Sequence, residues 1–404
     1  MIKIDLNSMR CLIREIMRRV LIVILLTMLM SFHSGADDKS IVIGERLSID
    51  SNVLDEEREY WVHLPGSYDK NNRYPVVYLL DGDSHFESTV GILRHLSVNG
   101  RIPEMILVGI LNTDRTRDLT PSRAIDESGD TQESFKTSGG SKAFLQFLET
   151  ELMPKIEEDY SIAPYNIIVG HSFGGLLALY SLIEKPGLFQ SYVSIDPSIW
   201  WDNQWLNEQL ANKLNQKPKE FTSVYIASAN NGQDDGPSSM IGPQREFFAK
   251  MSTWNNDTFN STIEYFPAED HASVPLIALH NGLRYLFKGH NIDIGKVIEE
   301  PSLFDSHFDT WSKKLGYDYL PPEWLANYIG YIFLQQGKVD QAITFFKQNI
   351  EMYPESSNTY DSLAEGYAEK GEIKLAIENY QKVLSMEGES ERVERILEEL
   401  KEKL

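Results

Sequence analysis

The 404-residue chain has one cysteine, Cys11, close to its start. Everything beyond it therefore lacks a thiol nucleophile, a disulfide and a thiolate metal site. Cationic charge is also scarce, with 38 Lys and Arg against 60 Asp and Glu and a formal net charge of −22. So acidic a surface argues against nucleic acid or an anionic membrane as partner. Long apolar runs are missing as well. The one candidate, Val20 to Met30, is too short for a comfortable transmembrane helix. No metal-ligand cluster and no phosphate-cradling glycine loop is present, so neither a metal nor a cofactor is expected.

That short run nevertheless has a place. Arg18 and Arg19 precede it, and the polar turn His33-Ser34-Gly35-Ala36 follows. This is the layout of a secretory signal peptide over residues 1–36, with Ser34 and Ala36 as the small residues before the cut and Met17 as an alternative start. Cys11 precedes the apolar run, the wrong side for lipoprotein processing. Five cations against two acids leave this leader at +3, and the remaining chain at −25. The expected location is periplasmic or secreted, with no membrane contact in the mature form.

From about residue 40 the chain alternates strand-like and helix-like segments. Strands are expected at Ser40–Ile43, Glu59–Leu64, Pro75–Leu80, Met105–Ile110, Ile167–Val169, Tyr192–Ile195, Ser223–Ala227 and Thr262–Tyr265. Four of them (VVYLL, ILVGI, IIVG, VYIA) are almost wholly apolar, as in a parallel sheet covered by helices on both faces. The first two, joined around Asp55-Glu56-Glu57, read as an antiparallel hairpin. The segments 143–160 and 174–185 have helical periodicity. The fold class is α/β, a three-layer sandwich with right-handed crossovers, followed by a small all-α domain.

Beyond about residue 290 only helical patterns remain. The tail matches itself at a period of 34: Phe333 with Tyr367, Gly337 with Gly371, Ala342 with Ala376, Phe346 with Tyr380. Each unit reads as a helical hairpin in which glycine turns the chain, alanine lets the helices approach and the aromatic fills the groove. The pair resembles tetratricopeptide repeats, with ERVERILEELKEKL as the polar capping helix. The expected boundaries are an α/β domain over 37–290, linker helices over 291–322 and the repeats with their cap over 323–404. The repeats suit a protein partner or self-association.

The chemistry centres on 165-YNIIVGHSFGGLLALYSL-182, where Gly-x-Ser-x-Gly sits between a β-branched strand and an apolar helix. A tight strand-to-helix turn has no room for side chains beside its central residue, which requires glycine there. Such a turn lifts the Ser172 hydroxyl clear of the sheet and aims helix N-terminal amides at the same space. Ser172 is the candidate nucleophile and needs a base.

With the nucleophile on such an elbow, the acid and then the histidine follow it in the chain. His63, His85 and His95 precede Ser172; His280 and His290 fall on or after a later helix; His307 lies beyond the expected domain. His171 is expected to point away from the elbow's open side. His271, in the loop after the last strand, is the candidate base. For the acid, Asp234 and Asp235 in 228-SANNGQDDGP-237 are candidates, with Asp235 favoured and an acid-free Ser–His dyad as the alternative. Glu269 and Asp270 adjoin His271 too closely in sequence to reach its outer nitrogen. The oxyanion donors are expected to be the N–H groups of Phe173 and of Asp83, the latter presented by a turn at Gly82.

YPVVYLLDGDSHF (74–86), GILNTDRTRDLTP (109–121), GHSFGG, SIDPSIWWDN (194–203) and EDHASVP resemble, in this order, the putative-esterase family of α/β hydrolases. That family includes siderophore esterases, feruloyl esterases, S-formylglutathione hydrolases and mycolyltransferases. The resemblance covers roughly residues 40–290 and implies a serine hydrolase with Ser172 and His271 at the matching catalytic positions. It leaves the acid open. It also shows one departure, Asp196 before Pro197-Ser198, where relatives more often have a serine. Trp200 and Trp201 are candidates to line the pocket with apolar surface for an acyl or aryl group. Arg115 and Arg117 would either meet a negative substrate group or pair with carboxylates.

The reading is a carboxylic-ester hydrolase acting on a small ester, siderophore-type or other. An acyltransferase using the same acyl-enzyme is an alternative, as is a binding protein working through its repeats.

Overall fold

The computed structural model describes residues 41–124, 133–218, 221–232 and 240–404; the expected leader lies outside them. The strands are β1 (Glu45–Ser51), β2 (Glu56–His63), β3 (Tyr74–Leu79), β4 (Ile106–Ile110), β5 (Ile162–His171), β6 (Ser191–Ile195), β7 (Thr222–Ala229) and β8 (Phe259–Phe266). They form one sheet in the order β1-β2-β4-β3-β5-β6-β7-β8. β1 and β2 are an antiparallel hairpin, β2 runs antiparallel to β4, and every later pair is parallel.

The first strand is not Ser40–Ile43. Ile41 and Val42 are exposed, and pairing begins at Glu45. Alternation decides this: Leu47 and Ile49 pair with Tyr60 and Arg58, which puts one face of the hairpin on the core, whereas a continuous Ile-Val-Ile has no polar face for the water side. The central strands β3, β4, β6 and β7 are buried along their whole length, as near-continuous apolar sequence requires.

Helices cover both faces: α1 (Gly82–Val98), α2 (Arg115–Leu119), α3 (Ser141–Phe147), α4 (Met153–Asp159), α5 (Phe173–Glu184), α6 (Trp201–Lys213), α7 (Ile241–Met251) and α8 (Val274–Leu286). α3 and α4 are joined by a π turn over Leu148–Leu152, and Pro154 sits in the first turn of α4, where its missing N–H costs nothing. α5 is buried from Gly174 to Ile183. The elbow at its start therefore rests on a rigid strand and a rigid helix.

No strand follows α8 among the described residues. α9 (Ile294–Glu299) and α10 (Leu303–Leu315) lead into two helix pairs, α11 (Glu323–Gln335) with α12 (Val339–Met352) and α13 (Ser357–Lys370) with α14 (Ile373–Glu387), closed by α15 (Glu391–Lys401). Gly337 and Gly371 turn the chain in the left-handed conformation, with φ 71° and 81°. Phe333, Phe346, Tyr367 and Tyr380 are all buried in a shared core with Ala342 and Ala376. Two unremarked glycines also matter: a Cβ on Gly330 would lie 2.3 Å from the Phe346 ring, and one on Gly366 3.2 Å from it. α15 turns Val393, Leu397 and Leu400 inward and its charges outward.

The helical region leans on the sheet domain through buried polar contacts. His290 bonds Gly100 O at 3.0 Å and Tyr319 Oη at 2.8 Å, and Lys314 donates to Leu286 O at 2.6 Å while lying over Trp311. No described helix is long and apolar enough to cross a membrane.

Candidate active site

β5 ends at His171, and Ser172 caps α5 with φ 60° and ψ −117°. That is costly backbone for a residue bearing a Cβ and persists only when the surroundings impose it. Here they do. A Cβ on Gly170 would lie 2.3 Å from the carbonyl of Gly174, so no larger residue fits there, and one on Gly175 would lie a tight 3.1 Å from Ile195 O. The Ser172 N–H donates to Ile195 O (3.0 Å) and its carbonyl accepts from Ser198 N (3.1 Å). Its Oγ lies 3.3 Å from Ser198 Oγ. Phe173 opens α5, placing its N–H at a helix N-terminus beside the hydroxyl.

The segment after β3, expected to present the Asp83 N–H, folds differently from expectation in one respect. Asp81, not Gly82, takes the left-handed turn (φ 54°), and α1 then begins at Gly82 with Asp83 in its first turn. Gly82 is required for another reason: its Cβ would lie 2.7 Å from Gly109 C on the neighbouring strand. Asn112 ties the turn together, donating to Asp81 Oδ1 (2.7 Å) and Asp83 Oδ1 (3.1 Å).

His271 lies in the loop between β8 and α8. Its Nδ1 is 2.6 Å from Oδ2 of Asp196, which is fully buried. Asp235 and Asp234 lie outside the described residues. Among the described residues, the carboxylate brought to the ring is the one at the end of β6. Asp196 has φ 39° and donates its own N–H to Ala227 O, which aims its side chain across the top of the sheet toward the last loop. Both oxygens are doubly satisfied: Oδ1 by Ala229 N (3.0 Å) and Gln244 Nε2 (3.0 Å), Oδ2 by Asn231 Nδ2 (3.0 Å) and His271. Burial alone would raise this carboxyl; the hydrogen bonds from His271, Gln244, Ala229 and Asn231 outweigh it and hold the group below the usual range. Ser228 Oγ donates to Gln244 Oε1, which fixes the amide so that its N–H groups face Asp196 and Pro197 O.

Sequence reasoning missed Gln244, Asn231 and Ser228, since nothing local distinguishes them. For Asp196 a signal existed: it directly follows a buried parallel strand, at the C-terminal edge where such sheets build sites. His171 is also corrected. Its ring does not turn away but lies 4.4 Å, centroid to centroid, from that of His271.

Trp201 and Trp200 part company. Trp201 is core, with 1 % exposure and its Nε1 donating to Ser122, while half-buried Trp200 lies 6.2 Å from the Phe173 ring. With Phe135 they make an aromatic cluster around Phe173. Arg115 is a bidentate partner of Asp81 (2.6 and 2.9 Å), donates to His171 O and covers the Phe173 ring. Arg117 pairs with Glu56 and Asp118. Among the described residues, seven non-glycine residues have positive φ; Asp81, Ser172 and Asp196 belong to these segments, and Asp202, Asn203 and Gln204 kink the start of α6. Among the described residues no group of three or more His, Cys, Asp or Glu is placed to hold a metal ion.

The profile of the putative esterase family matches residues 51–280. Ferri-bacillibactin esterase BesA of Bacillus subtilis is 30% identical over 251 residues, covering 57% of this chain and 85% of the relative. Apo-salmochelin esterase of Escherichia coli is 28% identical over 252 residues, 58% of this chain and 76% of the relative. Among solved structures, an IroE-like serine hydrolase from Shewanella oneidensis superposes with a TM-score of 0.65 at 30% identity, covering 76% of this chain and 99% of that one. The chain belongs to the putative esterase family and is a carboxylic-ester hydrolase.

Proposed function

We propose that hydrolysis proceeds through an acyl-enzyme on Ser172, with His271 as general base and Asp196 as the acid that orients it. The observation that carries this reading is the 2.6 Å contact between His271 Nδ1 and the buried, four-donor Asp196 carboxylate. A carboxylate on Nδ1 keeps that nitrogen protonated and leaves Nε2 free to accept. In the first step Ser172 Oγ bonds to the ester carbon as its proton passes to His271 Nε2. The carbonyl π pair moves onto oxygen, which the N–H groups of Phe173 and Asp83 receive. Collapse expels the alcohol, which takes the proton from Nε2. Water then repeats the sequence, releasing the acid and restoring the serine.

The substrate class is a small ester of siderophore type. The relatives are named for the esters of bacillibactin and salmochelin, and the aromatic cluster of Phe135, Phe173 and Trp200 supplies a flat apolar wall for an aryl-bearing acyl group. Export to the periplasm or medium, where such esters are met, fits the expected leader. The helical region, read as tetratricopeptide-like, serves as a partner surface: exposed Trp324 and Tyr328 line a groove of about 580 Å³ with Tyr331 and Asn358.

Steady-state rates on p-nitrophenyl acetate and butyrate, a feruloyl ester, and a catecholate triester with and without Fe(III) test the assignment. The triester should be cleaved with the highest kcat/KM. A preference for the simple esters over it removes the siderophore reading.

A further inference from the structure

A single hydrogen bond fixes a point and a direction for an imidazole, but it leaves the ring free to rotate about that bond. His271 has its Nδ1 held by Asp196, sits in a loop and keeps 38 % of its side chain exposed. Something else must set the plane of the ring, and therefore where Nε2 points. The His171 ring faces it at 4.4 Å with an interplanar angle of 40°.

His171 is itself immobile. It is the last residue of β5, its carbonyl accepts from Arg115, and the edge of His85 on α1 meets it at 5.8 Å and 85°. Behind it lies a cavity of about 20 Å³ lined by His85, Ser88, Gly170, Pro275 and Leu279, room for no more than a water molecule, so the ring cannot retreat. Its Nε2 is buried with no hydrogen-bond partner among the described residues.

We propose that His171 is a positioning residue: its ring face fixes the plane of the His271 imidazole, in a three-ring ladder His85–His171–His271 that ties the oxyanion segment, the elbow and the base loop together. This rests on reading His271 as the general base. The charged and titratable groups around the ladder are Asp81, Asp83 and Arg115 beside His85, and Asp196 and His271 beside His171. Burial, followed by the neighbouring histidines, lowers His171 to about 4, so this ring is neutral at working pH and does not repel the imidazolium that forms on His271.

The test compares His171→Ala with His171→Phe on a soluble p-nitrophenyl ester. His171→Ala should lower kcat about thirtyfold with KM within about twofold, because ground-state binding does not use the base. His171→Phe, which restores a flat ring without nitrogen, should return kcat to within about threefold of wild type. The downfield proton resonance of the Asp196–His271 bond should broaden in the alanine variant and sharpen again in the phenylalanine one. A kcat within twofold of wild type for His171→Ala overturns the proposal, as does a phenylalanine variant that folds yet is no faster than alanine. Should the alanine variant fail to fold, His171→Leu, which fills the space without a flat ring, takes its place against the phenylalanine variant with the same two outcomes. Ser172→Ala run alongside separates the two levels: if it keeps turning over, the catalytic reading fails, and if it is inactive while His171→Ala is fast, only the ladder fails.

Discussion

Asp196 and His271 stand 75 positions apart in the chain and 2.6 Å apart in space, at the C-terminal edge of β6 and in the loop after β8. Two strands of a parallel sheet separate by one intervening strand, and only the left-handed Asp196 backbone and the cradle of Ala229, Asn231 and Gln244 bring the carboxylate across that gap.

Replacing Asp196 by Asn should lower kcat by roughly a thousandfold to ten-thousandfold while leaving KM nearly unchanged, because the amide favours the wrong imidazole tautomer. Asp235→Asn and Asp234→Asn should each stay within about threefold, below ~0.7 kcal/mol of barrier. A large loss at Asp235 with a mild one at Asp196 would return the acid to the loop after β7.

Stability should fall with acidification. Burial lowers both His171 and His290 to about 4 in the fold, while an unfolded chain protonates its histidines near 6.5. Between those limits the unfolded state binds more protons, so the stabilisation is complete above about pH 6.5 and is lost progressively as pH drops toward 4. Calorimetric Tm should be several degrees lower at pH 5 than at pH 7, and His171→Phe should shrink that difference. An unchanged difference in His171→Phe means that His171 is protonated in the fold.

Removal of α11 to α15 should leave chemistry intact if the helices serve as a partner surface. The cut belongs after Leu320, since Tyr319 bonds the buried His290 and must stay. Turnover of a small ester should remain within about threefold, while Phe304 and Phe308, stripped of Phe345 and Leu325, lower solubility. A folded truncation that no longer hydrolyses the smallest ester shows that the helices build the site.

Much of this architecture is legible in the chain itself. The apolar runs of β3, β4, β5 and β7, the glycines of the elbow and the histidine in the loop directly after the last strand follow from short-range pattern and steric need. What is not legible comes from long range. For Asp196 the chain shows only its place at the end of a buried strand; that its carboxylate reaches His271 depends on its left-handed φ and its cradle. Gln244 looks like any polar position on α7, and His171 can be placed only once the loop of His271 has folded over it. β1 lies beyond the expected Ser40–Ile43 because pairing with β2 rewards the alternation of Leu47 and Ile49 over a run of three apolar residues.

The central claim, an acyl-enzyme on Ser172, is tested most directly by intact-mass and peptide analysis after treatment with a fluorophosphonate. The wild-type protein should gain one adduct, located on the peptide carrying Gly170 to Gly174, and lose its esterase activity in step. Ser172→Ala should gain none and should unfold at the wild-type temperature. An adduct on Ser172→Ala, or on another residue such as Ser198, with activity lost in proportion, would contradict the account.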